Sequence, residues 1–247
     1  MGKTYIAKRL AYLFSGYQNP IDIKIIQFHQ NYSYEDFLIG YRPCKSGFEL
    51  ETGIFFDLCW KAKSNKARKY ILIIDEINRG NINKIFGEAF MLLEASHREE
   101  TILLPGDISF SIPDNLYIIG TMNTADRSIA LLDSALRRRF AFYPLNTAYE
   151  TEKFQTYLQS CTVELQAVIK VICKINEDIS NDSSLGPGYI IGHSYFCNLS
   201  KDDINSKLSY VIKYEIIPLL SEYWFDAPEK VDNYSKQLLE CLNHDKS

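Results

Sequence analysis

Two adjacent carboxylates, Asp75 and Glu76, close the apolar run Tyr70-Ile-Leu-Ile-Ile. Side chains alternate along a strand, so neighbouring acids at its end face different ways and can divide the work of a hydrolase. One can hold a divalent cation while the other polarises a water. A strand ending in a solvated acidic turn would carry the same residues, and the run alone leaves both readings open. The first residues of the chain bear on the choice. Gly2-Lys3-Thr4 stand at the head of a helical run over 5–14, which is the pattern of the second half of a phosphate-binding loop. There Lys3 reaches the β- and γ-phosphates, Thr4 holds Mg²⁺, and the helix N-terminus adds its amides and dipole. A lone Gly-Lys-Thr is a weak signal, but this one precedes the acid-ended strand by 71 residues, counted from Thr4 to Asp75.

Asn123 follows a third apolar run. An amide at a strand tip can orient an attacking water without titrating. The Asn-Thr-Ala-Asp stretch over 123–126 can equally be an Asx turn, with Ser128 capping the next helix. Arg137, Arg138 and Arg139 end that helix, where cations ordinarily complement the dipole. A second arginine of the run can serve as a finger in a neighbouring subunit's site. Asn83-Lys84-Ile85-Phe86 lacks the acid of a guanine-binding Asn-Lys-x-Asp motif and falls inside an apolar-periodic helix. His193 reads either as a hydrogen-bonded arm residue or as a nucleotide contact. Tyr32, Tyr34, Phe37 and Tyr41 are expected to pack or to line a subunit interface, and Trp60 and Trp224 to lie in the core.

The elements that must position these residues follow an α/β alternation to about residue 145. Strands are expected at 21–28, 70–74, 116–121 and 140–144. The middle two are nearly continuous Ile and Leu and are expected to be central. Ile82, Ile85, Phe86, Ala89, Phe90 and Leu93 form one helical stripe, and Pro105-Gly106-Asp107 centres a hairpin within 101–113. Beyond residue 146 the pattern is helical. Leu165, Val168, Ile169, Ile172 and Ile175 make one stripe, Leu208, Val211 and Ile212 begin another, and a Ser/Gly-rich loop spans 181–192. The domains expected are thus 1–145, an α/β nucleotide-binding unit, and 146–247, a helical lid.

With 247 residues, 46% hydrophobic and 23% charged, the chain can bury a substantial core without metal or disulfide staples. A net charge of −4 gives no general electrostatic grip on a phosphodiester backbone, which leaves any contact with DNA local or delegated. No apolar run approaches a membrane span. Six cysteines without a C-x-x-C pair read as reduced, mostly buried thiols of a cytoplasmic protein.

Lys3-Thr4, Asp75-Glu76, Asn123 and the arginine run together resemble the AAA+ set of Walker A, Walker B, sensor 1 and arginine finger. Within AAA+, six strings resemble the McrB family, the GTP-hydrolysing motors of bacterial modified-cytosine restriction systems. They are Q-F-H-Q-N-Y-S-Y-E-D-F (27–37), G-Y-R-P (40–43), I-D-E-I-N-R (74–79), M-N-T-A-D-R-S (122–128), A-L-R-R-R-F (135–140) and I-G-H-S-Y-F (191–196). The likeness extends from residue 1 to about Phe225.

The resemblance implies an AAA+ P-loop NTPase core, with a parallel sheet and an all-helical lid, in a homo-oligomeric ring of six subunits. Gly2, Lys3 and Thr4 would bind GTP, or ATP, and Thr4 and Asp75 would hold Mg²⁺. Glu76, Asn123 and Asp126 would set the attacking water, and Arg127, Arg137 and Arg138 would stabilise charge at the subunit interface. It further implies stimulation by an McrC-like nuclease subunit, and DNA recognition by a separate or missing domain. Met1 falls inside the family's phosphate loop, so the central first strand and its Gly-Pro-Pro-Gly-type turn are expected to be missing. The second reading this leaves is a hydrolysis-deficient assembly fragment that keeps the ring interface. Where relatives often carry Arg, Ile190 stands before I-G-H-S-Y-F, so a charged lid sensor is not expected there.

Overall fold

The structure is a computed structural model that describes residues 2–16, 22–123, 134–197 and 204–242. It divides into two compact units, Gly2–Pro144 and Leu145–Ser247.

In the first unit, strands β1 (Ile23–Gln27), β4 (Tyr70–Asp75) and β7 (Leu116–Gly120) form a parallel sheet in the order β1-β4-β7. Only β4 is central. β7, expected beside it in the middle of the sheet, forms an edge, because no described strand pairs with its outer side. For the same reason the strand expected at 140–144 does not form. Without a ladder partner its backbone gains nothing from extension, and Tyr143 stands 86% exposed.

The continuous apolar run of β4 is explained by burial on both faces. Ile71 and Ile73 meet Ala7 and Ala11 of helix α1 (Lys3–Ser15), whose small side chains allow close approach. Leu72 and Ile74 face a larger core with Phe28, Phe37, Phe55 and Phe86. That core also takes helices α2 (Tyr34–Phe37), α3 (Ile54–Ser64) and α4 (Ile82–Phe86). Between α2 and α3 runs a hairpin of β2 (Ile39–Cys44) and β3 (Gly47–Thr52), which the sequence reading did not anticipate. The hairpin expected near Pro105 is present as β5 (Ile102–Leu104) and β6 (Ile108–Phe110).

The stripe from Ile82 to Leu93 is not one helix. At Gly87, with φ +51°, α4 gives way to a 3₁₀ segment over Gly87–Leu93. A Cβ at Gly87 would lie 2.7 Å from the Tyr34 ring, so glycine is needed both for the turn and for the fit. Trp60 is 64% exposed, contrary to its expected place in the core, whereas Trp224 is buried. Of the six cysteines, all free, Cys59 alone is buried. Cys44 is exposed and the other four are half-buried, so the thiols are not mostly buried as expected.

The second unit is helical among its described residues. After α5 (Ser134–Arg139), which belongs to the first unit, come α6 (Glu152–Gln159), α7 (Val163–Asn181), α8 (Ile204–Tyr210), α9 (Ile217–Tyr223) and α10 (Pro228–Cys241). Thr151 and Thr162 cap α6 and α7 by accepting the amides of Phe154 and Leu165. Leu165, Val168, Ile169, Ile172 and Ile175 are all buried along α7, and each contributes about 1.5–3 kcal/mol by leaving water. Between α8 and α9 the helix widens to i→i+5 bonding over Val211–Ile216. Pro218, just inside α9, lacks the N–H that regular α bonding would require there. The loop expected over 181–192 begins at Asp182, after α7 ends, and holds one 3₁₀ turn at Pro187–Tyr189, and Asn176 fixes its end. The Asn176 amide donates to the Ile191 carbonyl and accepts the Ile191 N–H.

No helix among the described residues is long and apolar enough to cross a membrane.

Candidate nucleotide site

The C-terminal end of β4 is where an open parallel sheet presents ligand-binding groups. Asp75 is the last residue of that strand, in register with Gln27 of β1, and Ile74 is in register with Gly120 of β7. Chain direction reverses at once. Glu76 adopts a left-handed conformation (φ 52°, ψ 47°) and a 3₁₀ turn follows over Ile77–Arg79. A non-glycine residue held there costs on the order of 1–3 kcal/mol, and surrounding bonds must impose it. Three such bonds tie the turn to the end of β7. Ile77 N–H donates to the Thr121 carbonyl at 2.9 Å, Glu76 N–H to Thr121 Oγ1 at 3.3 Å, and the Asn78 side-chain amide to the Asn123 carbonyl at 3.1 Å. A Cβ on Gly120 would come within 3.0 Å of Ile77, so glycine lets the two segments close.

Helix α1 brings the opening residues to the same place. The Thr4 hydroxyl donates toward the Asp75 carboxylate, 3.0 Å from Oδ1 and 3.2 Å from Oδ2. Thr121 Oγ1 also donates to Asp75 Oδ1. Gly2 caps α1 in a left-handed conformation (φ 69°), and the first turn has no side-chain cap and no acid. Its amides and dipole are therefore offered at the end where Thr4 and Asp75 meet. A hydroxyl and a carboxylate are the hard oxygen donors that suit Mg²⁺, which typically takes one or two protein ligands and completes its shell with water and phosphate. No cluster of three or more His, Cys, Asp or Glu that would form an all-protein metal cage occurs among the described residues.

The family model for the AAA domain of the dynein-related subfamily matches residues 1–140, and that for the α-helical lid domain of McrB matches residues 167–232. The chain belongs to the McrB family of AAA proteins. It is 43% identical over 252 residues to the type IV methyl-directed restriction enzyme EcoKMcrB subunit of Escherichia coli (strain K12), covering 97% of this chain and 55% of that protein. The chain thus spans about half the length of that relative. It is also 26% identical over 265 residues to the type II restriction enzyme BsuMI component YdiS of Bacillus subtilis (strain 168), covering 86% of this chain and 75% of that one. Among solved structures, a putative ATPase from Cytophaga hutchinsonii superposes with a TM-score of 0.34 at 14% identity, over 72% of this chain and 65% of that chain, a likeness too loose to add to the fold.

Within this McrB-type AAA core, Gly2, Lys3, Thr4, Asp75, Glu76 and Asn123 lie on the three segments that converge at the end of β4. The Glu76 carboxylate pairs with Arg79, Oε2 to Nε at 3.4 Å. Asp126 and Arg127, with the proposed cap Ser128, lie outside the described residues. The three arginines of α5 separate by environment. Arg139 donates to the Ala135 carbonyl, reaches Glu94 at 3.6 Å and stacks over Phe90 at 4.5 Å, whereas Arg137 and Arg138 are exposed. Arg139 is thereby the member of the run tied into its own unit.

In the McrB lid, His193 accepts the Ala148 N–H through Nδ1 at 3.0 Å, which makes it an arm residue bound to its own unit, and burial lowers its pKa. The sequence assigned no role to Thr121, nor to Asn78 and Arg79 within the string 74–79. The available signal was their spacing: Thr121 stands two residues before Asn123, and Asn78-Arg79 follow the acidic pair directly.

Proposed function

We propose that the chain is the nucleotide-hydrolysing motor of a restriction system directed at modified cytosine. It binds GTP with Mg²⁺ in a homo-oligomeric ring, six-membered in the family pattern. The observation that carries this reading is the meeting of Thr4 and Asp75, 71 residues apart, at the N-terminus of α1 and the end of the central strand. That is the arrangement a phosphoryl-transfer site needs.

In this reading Gly2, Lys3 and the first amides of α1 bind the phosphates. Thr4 and Asp75 hold Mg²⁺, which neutralises charge on the transferring phosphoryl group. Glu76, with Asn123 and Asp126, orients the attacking water. Arg127, Arg137 and Arg138 act at the subunit boundary, and the exposure of the last two supports that part of the assignment. The relatives' names, both restriction components, support the wider role. An McrC-like nuclease subunit stimulates hydrolysis and cuts DNA, and a recognition domain outside residues 1–247 reads the modified base. GTP is taken as the nucleotide from the family resemblance, with ATP as its competitor.

The test is titration of the protein, expressed from the whole of its gene, with fluorescent GTP and ATP analogues with and without Mg²⁺. Mg²⁺-dependent binding with GTP preferred is the expected result. No binding of either nucleotide at millimolar concentration overturns the reading, and equal binding of both overturns the guanine preference.

A further inference from the structure

Thr121 is a buried polar residue outside the AAA+ motif set, and its hydroxyl is fully used. It has one proton to give and lone pairs to receive. The proton goes to Asp75 Oδ1, and Oγ1 in turn accepts the Glu76 N–H at 3.3 Å. Its backbone is equally committed, with its N–H donating to the Ile74 carbonyl and its own carbonyl accepting from Ile77 N–H, both at 2.9 Å. Side chain and backbone together join Thr121 to every residue from Ile74 to Ile77. It also stands at the head of the segment that carries Asn123.

We infer that Thr121 is a positioning residue for the cation site, its hydroxyl fixing the Asp75 carboxylate toward Thr4 while holding the Glu76 backbone in its left-handed turn. The inference rests on the nucleotide reading above. Two features argue that the hydroxyl, and not merely the bulk of the side chain, is required. A carboxylate without a fixed partner rotates among several orientations, and the Thr4 hydroxyl, at nearly equal distances from the two oxygens, does not choose between them. Thr121 contacts Oδ1 alone. Secondly, the Glu76 N–H has moved out of the strand ladder, and Thr121 Oγ1 is the acceptor it finds. A valine would fill the same volume, leave the Asp75 carboxylate to Thr4 alone and deprive the Glu76 N–H of its acceptor.

The experiment compares Thr121→Val, Thr121→Ala and Thr121→Ser with the wild type, each expressed from the whole gene. Fluorescent-GTP binding is measured across a Mg²⁺ titration and again in excess chelator. Hydrogen exchange of the Glu76 amide is measured without nucleotide. Thr121→Val and Thr121→Ala should need about tenfold more Mg²⁺ for half-maximal binding, the size of one lost charge-assisted hydrogen bond. Binding in chelator should be unchanged, the Glu76 amide should exchange faster, and Thr121→Ser should restore both readouts.

An unchanged Mg²⁺ requirement in the folded valine and alanine variants overturns the inference, as does failure of serine to rescue. If the valine variant does not fold, the alanine and serine pair decides by the same criteria. A wild type that binds no nucleotide under any condition removes the nucleotide reading itself and this inference with it. A wild type that binds normally while the variants match it removes only the inference.

Discussion

Arg79 Nε lies 3.4 Å from Glu76 Oε2, within a turn that begins with Glu76 in the left-handed region. The guanidinium is about half exposed, so the pair adds little to stability and its effect is on orientation. If Glu76 polarises the attacking water, Arg79→Ala should lower kcat by about tenfold to a hundredfold, as small misplacements of a reacting group do. KM for GTP should stay within about threefold, since the proposed phosphate contacts are Gly2, Lys3 and the first amides of α1. Steady-state kinetics of wild type and variant check this, and a change in KM alone would assign Arg79 to binding instead.

Environment separates the arginines of α5. Replacing Arg137 and Arg138 together with Ala should abolish hydrolysis that depends on subunit association and leave the melting temperature unchanged, because both are exposed. Arg139→Ala should do the reverse. Losing its stack on Phe90 and its pair with Glu94 costs about 1–2 kcal/mol, or a few degrees in melting temperature. Thermal melts with turnover measured across protein concentration check both, and an intact concentration dependence in the double variant removes the finger assignment.

Packing of α1 on the sheet couples stability to the site. Ala11 is fully buried against Ile71 and Ile73, seven residues along the helix from Thr4. Ala11→Leu overfills that contact at a cost of about 1–3 kcal/mol and lifts the helix. The expected outcome is a lower melting temperature together with weaker Mg²⁺-dependent GTP binding. A destabilised variant with unaltered affinity would show that α1 does not position Thr4 by this contact.

In the lid, Asp182 accepts hydrogen bonds from the Ser184 hydroxyl and amide and from the Trp224 indole, which hold its pKa down to about 2. Asp178 is lowered in the same direction, first by the Tyr234 hydroxyl and then by Lys230. A depressed folded-state pKa gives stability that is present above the unfolded value of about 3.9 and lost as pH falls through the folded value. The helical unit should therefore lose stability between about pH 4 and pH 2. Asp182→Asn should flatten that limb of the melting-temperature profile, and an unchanged profile would show that Asp182 does not contribute to it.

How legible the site was depended on whether a residue's neighbours in sequence are also its neighbours in space. Tyr70–Asp75 could be read directly, because burial on both faces leaves a continuous apolar run. The α7 stripe could be read because a single face is buried. Thr121 could not, since its partners Asp75 and Glu76 are brought to it by strand pairing. The β2–β3 hairpin was missed because its strands are largely exposed, so no alternation of apolar residues marks them. Residues 140–144 misled for the opposite reason: Phe140 and Phe142 have the composition of a strand, but pairing requires a neighbour beyond β7.

The central claim is that the end of β4 hydrolyses a nucleotide, with Asp75 serving the cation and Glu76 the water. The most direct measurement pairs GTP affinity with single-turnover hydrolysis for Glu76→Gln, expressed from the whole gene. The account predicts Mg²⁺-dependent binding within about threefold of wild type and turnover reduced by at least about a hundredfold. Turnover at the wild-type rate with binding intact would contradict it.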